Sequence, residues 1–275
     1  MENTVADCDQ RYLQILLQRI EICREYRPRF GQGQTAGLSL EQFQQLYRSD
    51  TFYEWFGLDN PLMYAAHKAA GGITSVYRQI GTGCEEIFRE IIQDRLGLEP
   101  DQIRWSYATT RQGRAQKLAL DARIALADIP SPRRRLAMRR WLRRACGIVG
   151  VANEIADVLK GAVFEVRQGY KSKDSKRQNA DIANAATAYA QGYLPVVVML
   201  SSQIDNDIAT RYEHEKWLIL RGILHGASWQ LTYAFCHDVL GYDLAGFFQA
   251  HSPQIKASVE KTLKTLLTAD EQPKS

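Results

Sequence analysis

Residues 153–182, NEIADVLKGAVFEVRQGYKSKDSKRQNADI, decide how the chain reads. Asn153 to Leu159 (NEIADVL) reads as a strand, Lys160-Gly161 as a two-residue turn, and Ala162 to Arg167 (AVFEVR) as the returning strand. Glycine suits that turn because tight hairpin loops demand a positive φ. A polar basic stretch leads into an alanine-rich helix, Ser175 to Ala190, and then an apolar strand, Leu194 to Ser201. Strand, turn, strand, helix, strand specifies a central mixed sheet flanked by helices, so the expected fold class is mixed α/β.

Side chains alternate faces along a strand, which puts Val163, Glu165 and Arg167 on one side and Phe164 and Val166 on the other. Charges on an otherwise apolar strand are costly unless something pairs them. Asp157 precedes Glu165 by eight residues across the short turn, near enough in register for the two carboxylates to converge. Converging carboxylates repel, and a divalent cation with oxygen ligands, typically Mg²⁺, relieves the repulsion. A metal there would polarise a phosphodiester and lower the pKa of an attacking water, with Arg167 stabilising the developing charge. The same residues would equally serve as surface ion pairs, Asp157 and Glu165 with Lys160 and Arg167.

This stretch resembles the core of the PD-(D/E)XK nucleases, with Asp157 as first acid, Glu165 as the (D/E), and the following helix and strand in the family's order. The similarity covers residues 150 to 201, and Glu85 to Leu96 (EEIFREIIQDRL) matches the family's preceding helix. Lys173, Asp174, Lys176, Arg177 and Gln178 entering a helix resemble the type II restriction endonucleases that cut CCGG-containing sites, in which such a cluster faces the bases. Arg167 stands where the family has lysine. Arginine stabilises charge but cannot exchange a proton near neutral pH, which nominates Lys171 for the lysine role. The CCGG-type branch also takes its first acid from far upstream and its second from the helix, which would nominate Asp121 in KLALDARI and Asp181. Asp157 is preferred here because the short hairpin explains its proximity, and Asp121 and Asp181 stand as alternates.

The charge distribution points the same way. From Arg104 to Arg177 there are eighteen Lys and Arg against six Asp and Glu, an excess of twelve, so a net +4 leaves the rest of the chain at −8. A basic centre between acidic ends is the footprint of a protein that grips a polyanion. Its densest part, Arg133 to Arg144 (RRRLAMRRWLRR), carries Leu136, Met138, Trp141 and Leu142 at helical spacing. Arg139, Arg140 and Arg143 are the expected phosphate contacts, since the guanidinium fork makes bidentate bonds to phosphate, with a solvated cationic helix packed by its apolar stripe as the alternative. Arg78, in the Ile73–Gly83 stretch ITSVYRQIGTG, reads as a further contact on a DNA-facing loop or, equally, as part of an ordinary loop and helix start, and Glu86 as a residue that could orient a metal-bound water or cap its helix. His214 and His225 read as structural.

The remaining sequence sets the frame. Residues 1–100 read as a mostly helical N-terminal region: a helix over 5–27, a second opening at Ser39 with Gln42 as a capping box, a segment from Pro61 ending at Gly71-Gly72, and Glu85 to Leu96. Residues 101–275 read as the nuclease core, with C-terminal helices at Ile208–Leu224, Ser228–Leu240 and Pro253–Leu267. No apolar run reaches the ~18 residues of a membrane span. Five scattered cysteines lack CxxC spacing, which argues against a disulfide framework or zinc site, and the acidic start reads as no secretory signal. The expectation is a cytoplasmic, Mg²⁺-dependent type II restriction endonuclease acting on double-stranded DNA as a homodimer or larger oligomer, with no membrane partner. A nonspecific repair nuclease and a non-catalytic DNA-binding protein are the rivals.

Overall fold

A computed structural model describes residues 5–30, 36–111, 114–169 and 184–269. Helices α1 (Val5–Ile22), α2 (Leu40–Arg48), α3 (Thr51–Trp55) and α4 (Pro61–Leu96) come first, followed by strands β1 (Trp105–Arg111), β2 (Arg114–Leu120) and β3 (Ala122–Ala125). Helices α5 (Pro132–Ile148) and α6 (Asn153–Val158) lead to strand β4 (Gly161–Arg167). Residues 184–190 are helical (α7), and strand β5 (Tyr193–Met199), helix α8 (Asn206–His214), strand β6 (Leu218–Leu220), helix α9 (Thr232–Phe235, continued as a π-turn to Leu240) and helix α10 (Leu244–Leu267) complete the chain. Two compact units result. One holds the residues up to Gly83 and from Ala250 onward, the other Cys84–Gln249.

In the helical unit the Ser39 capping box is formed: Ser39 Oγ accepts from the Gln42 amide at 3.2 Å, and Gln42 Oε1 accepts from the Ser39 amide at 2.9 Å. Phe43 is fully buried, its ring 4.8 Å from Phe30 and 4.3 Å from Tyr47. The expected break at Gly71-Gly72 and the expected loop over Ile73–Gly83 are absent, because α4 runs unbroken through them. These glycines serve close packing instead. A Cβ on Gly71 would meet the Tyr26 hydroxyl at 1.9 Å, and one on Gly72 would meet the Leu266 side chain at 2.6 Å. Pro253, expected to open the last helix, lies inside α10.

The second unit is built on a mixed four-stranded sheet in the order β3-β4-β5-β6. β3 pairs antiparallel with β4, while β4, β5 and β6 run parallel. β4 and β5 are buried along their whole length, as strands covered on both faces must be. Val163 and Val197 belong to a core with Trp105, Leu120, Ala185, Ile208, Tyr212 and Trp217. On the opposite face Phe164 meets Phe88 of α4 (5.5 Å between ring centres), Trp141 of α5 (6.3 Å) and Phe235 of α9 (5.8 Å). β1 and β2 form a separate antiparallel hairpin.

Four expectations are corrected here. Asn153 to Val158 is a helix, not a strand: Ala156 and Leu159 are buried three residues apart, whereas Ile155 and Val158 face out at 49% and 73% exposure. That is helical spacing rather than alternation. Lys160-Gly161 is therefore not a hairpin turn. The Lys160 amide donates to Gly192 O and its carbonyl accepts from the Leu126 amide, both at 2.7 Å, and Gly161 opens β4 against β3. The helix expected over Ile208–Leu224 stops at His214, because the chain turns through Lys216 at φ 60° into β6. The helix expected from Ser228 begins only at Thr232.

Gly161 is the tightest point of the sheet, since a Cβ there would stand 1.9 Å from the Ile124 carbonyl oxygen. The obstacle is backbone of the paired strand and cannot swing aside. Gly161→Ala is therefore expected to cost about 1–3 kcal/mol or more of stability, as overpacking of a filled interior does. Urea unfolding monitored by circular dichroism checks it; an unchanged midpoint would mean that β3 and β4 can separate without loss.

Candidate active site

β3 and β4 bring together groups that lie more than forty residues apart in sequence. The register pairs Ala122 with Phe164 and Arg123 with Val163, so Asp121, one residue before β3, falls beside Glu165. Its carboxylate completes the strand pairing. Asp121 Oδ2 accepts from the Val166 amide at 2.8 Å, the donor that the ladder would have paired with residue 120 had that residue not already belonged to β2. A buried amide needs a partner, and here a side chain supplies it. Arg89 of α4 donates through Nη1 to the Asp121 carbonyl at 3.3 Å, tying the same corner to the helix.

Glu165 and Arg167 stand two residues apart on one face of β4 and form an ion pair. Both are buried, at 6% and 9% exposure, in the carboxyl-terminal half of a central strand. Arg167 also donates through Nη1 to the Val166 carbonyl at 3.4 Å. Ligands of open α/β sheets bind beyond the carboxyl ends of the strands, and this cluster of Asp121, Glu165 and Arg167 occupies that end of β4. Glu86 lies half-buried on α4 in the same unit.

Asp157 is elsewhere. It sits on α6 with its side chain half exposed and bonds Arg143 of α5, with Nε 2.8 Å and Nη2 2.6 Å from Oδ1. The convergence of Asp157 with Glu165 expected from a hairpin is thus not formed, because the segment that would have been its first strand is a helix packed on α5. Lys171, Lys173, Asp174, Lys176, Arg177, Gln178 and the alternate acid Asp181 lie outside the described residues. Arg78 is exposed on α4, in the helical unit, on a helix rather than a loop.

Five of the seven arginines of α5 fall into three groups. Met138, Trp141, Leu142, Ala145 and Cys146 form its buried stripe, while Leu136 stays exposed. Arg135 is structural, giving Nε and Nη2 to the Ile129 carbonyl at 3.0 and 2.7 Å. Arg143 is held by Asp157, and Arg144 lies 4.8 Å from the Trp229 ring centre. Arg139 and Arg140 are exposed.

Among the described residues no group of three or more His, Cys, Asp or Glu side chains could hold a metal ion. The donors at the sheet corner are two carboxylates, a hard oxygen set that suits Mg²⁺ or Ca²⁺ with waters filling the remaining positions, not zinc. All five cysteines are buried free thiols. Burial, and for Cys84 the neighbouring Glu85 carboxylate, pushes the Cys84 and Cys236 thiols up to about 12, so neither supplies a thiolate nucleophile at neutral pH. No helix among the described residues is long and apolar enough to cross a membrane.

No protein-family model, curated protein or solved structure matches this chain.

The Asp121 bond to Val166 separates structural from chemical roles at this corner. Asp121→Asn keeps an oxygen acceptor for the Val166 amide and is expected to leave stability within about 0.5 kcal/mol of wild type, whereas Asp121→Ala strands the amide and costs about 1–3 kcal/mol. Denaturant midpoints of the two variants decide; equal losses in both would show that the bond does not hold the corner.

Proposed function

We propose that this chain is a Mg²⁺-dependent endodeoxyribonuclease of the type II restriction kind, with a PD-(D/E)XK core, cutting double-stranded DNA at a short palindromic site such as a CCGG-containing one. The observation that carries the reading is Asp121 set beside Glu165 across the β3–β4 ladder, with Arg167 on the Glu165 face. The sheet lends partial support: an antiparallel β3–β4 pair carries the acids and is followed by the helix of residues 184–190 and the parallel strand β5, while α5 and α6 stand between β3 and β4 and β1–β2 form a separate hairpin. Asp121 takes the first-acid role that the hairpin reading gave to Asp157.

In this reading Asp121 and Glu165 would hold Mg²⁺, which when bound supplies Lewis acidity and a water more easily deprotonated. Arg167 stabilises the charge that develops on the scissile phosphate and carries no proton, since a guanidinium stays charged throughout the working pH range. Lys171 supplies the lysine role near the same phosphate. Arg139 and Arg140 meet the DNA backbone, with Arg143 joining them when it leaves Asp157, and Lys173, Asp174, Lys176, Arg177 and Gln178 read the bases. A homodimer sets one active site on each strand of the palindrome, matching two-fold protein symmetry to two-fold DNA symmetry.

Plasmid DNA incubated with the protein in Mg²⁺ and in EDTA tests this directly. Discrete fragments in Mg²⁺ alone are expected, lost in Glu165→Ala and Asp121→Ala and retained in Asp157→Ala. A smear would replace the site-specific enzyme with a nonspecific nuclease. Intact but retarded plasmid would leave a DNA-binding protein without catalysis.

Phosphate contacts give affinity without sequence information, so the α5 arginines have their own signature. Replacing Arg139 and Arg140 by Ala is expected to weaken binding to all duplexes alike and to flatten the salt dependence by about 0.9 per lost contact. Arg143→Ala should flatten it less, because Asp157 already engages that guanidinium. An unchanged slope in the Arg139/Arg140 double variant would remove α5 from the DNA interface.

A further inference from the structure

Strand β6 is an edge of the four-stranded sheet, two strands away from β4. Backbone amides and carbonyls alternate between the two sides of a strand in a parallel sheet. Arg221 turns both of its groups outward: its amide donates to the Gln230 carbonyl at 2.8 Å, and its carbonyl accepts from the Thr232 amide at 3.0 Å. Two residues earlier the same alternation turns the amide and carbonyl of Ile219 outward, and among the described residues nothing bonds them. Ile219 is nonetheless buried. A donor and an acceptor so placed call for partners. A short extended segment lying beside β6 would supply both at once, as added strands do at sheet edges.

Ile219 lines a cleft of about 450 Å³, with Ile148, Leu218 and Leu231 as apolar walls and Glu213, Lys216, Arg221 and Gln230 as polar ones. That volume is within the range of ligand sites. Trp217 lines it too, fully buried and with its indole N–H unpartnered among the described residues. Two cations against one acid leave the lining one charge positive. Arg221 Nη2 stands 3.7 Å from Glu213 Oε1, beyond hydrogen-bond length, with both side chains about half exposed. Such a pairing is weak, so the guanidinium is open to an incoming carboxylate, which its fork grips bidentately. Lys216 closes α8 in a Schellman turn: its amide bonds the Glu213 carbonyl, the Trp217 amide bonds the Tyr212 carbonyl, and φ is 60°. Glycine is the usual residue at that left-handed position. The Lys216 ammonium lies by Gly150 at the end of α5, where a Cβ on Gly150 would stand 3.2 Å from Nζ. There it offsets the negative end of the helix, which would otherwise repel an anion.

We propose that this cleft binds a short, extended peptide segment bearing a carboxylate: its backbone pairs with Ile219 as an added strand, and Arg221 holds the carboxylate. The pairing of Leu231 with Arg221 already fills the edge at that end, which limits the occupant to a few residues. The site stands apart from the nuclease reading. The probe is the acetylated tetrapeptide Ac-Val-Thr-Val-Glu with a free C-terminus, titrated into the full chain by calorimetry while amide hydrogen exchange is followed by NMR. Saturable one-to-one binding is expected, with exchange of the Ile219 amide slowed in the complex. Arg221→Gln should weaken binding about tenfold or more, the loss of a charge-assisted bond. Glu213→Gln should tighten it, because the acid that competes for Arg221 is gone. Lys216→Gly should unfold at the same temperature or higher, since glycine takes the left-handed φ without strain, yet bind about two- to fivefold more weakly. Arg104→Gln removes an exposed cation that pairs with Asp101 and does not line the cleft, and should bind as wild type does.

Amidating the peptide's C-terminus and exchanging its Glu for Gln remove the two carboxylates separately, and a loss with either one supports the site and identifies the group that Arg221 holds. Affinity unchanged by both, or unchanged in Arg221→Gln, overturns the proposal. So does an equal loss in Arg104→Gln and Arg221→Gln, since general charge would then explain the effect. A bound peptide that leaves the Ile219 amide exchanging as before overturns the strand pairing, and no binding of the tetrapeptide overturns the site altogether.

Discussion

A carboxylate and a guanidinium on the buried face of a central strand constrain everything built around them. β4 is covered on both sides, and on it Glu165 and Arg167 lie almost out of water and pair with each other, where an isolated charge would be costly. Removing either one alone is more costly than removing both, which makes the pair a single unit in energetic terms. An apolar pair would satisfy the core at lower cost.

The same economy runs through the α5 helix. Its arginines are used in different ways, and contact geometry sorts them where composition could not. Arg135 closes the carbonyl of Ile129, Arg144 lies over Trp229, and Arg143 meets Asp157. Arg143 and Asp157 are both half exposed or more, so their pairing contributes at most about 1 kcal/mol. A phosphate or other anion could therefore displace it at little cost.

Legibility in the sequence followed the range over which each feature is determined. The strand alternation of AVFEVR, the apolar run that becomes β5, the Ser39 capping box and the buried stripe of Met138, Trp141 and Leu142 all depend on neighbours a few residues away, and each was readable. α6 was not, because six residues hold too few turns for helical spacing to separate from alternation, and Ile155 and Val158 are apolar yet exposed. The glycines of α4 misled for a related reason: Gly71 and Gly72 answer to Tyr26 and Leu266, which approach from distant parts of the chain.

The choice between Asp157 and Asp121 turns on that same distinction. A reading confined to nearby residues seeks the partner of Glu165 across the shortest turn and finds Asp157. The sheet pairs β4 with β3 instead, and the register sets Asp121 opposite Glu165, one residue before a four-residue strand. KLALDARI carries a signal of this arrangement, since an acid interrupts an apolar alternation at the point where the chain leaves one strand and enters the next. Such an acid is expensive unless the backbone gives it something to bond. Here the Val166 amide does so, and the bond that lets Asp121 be tolerated in the fold also fixes its carboxylate on the strand that carries Glu165.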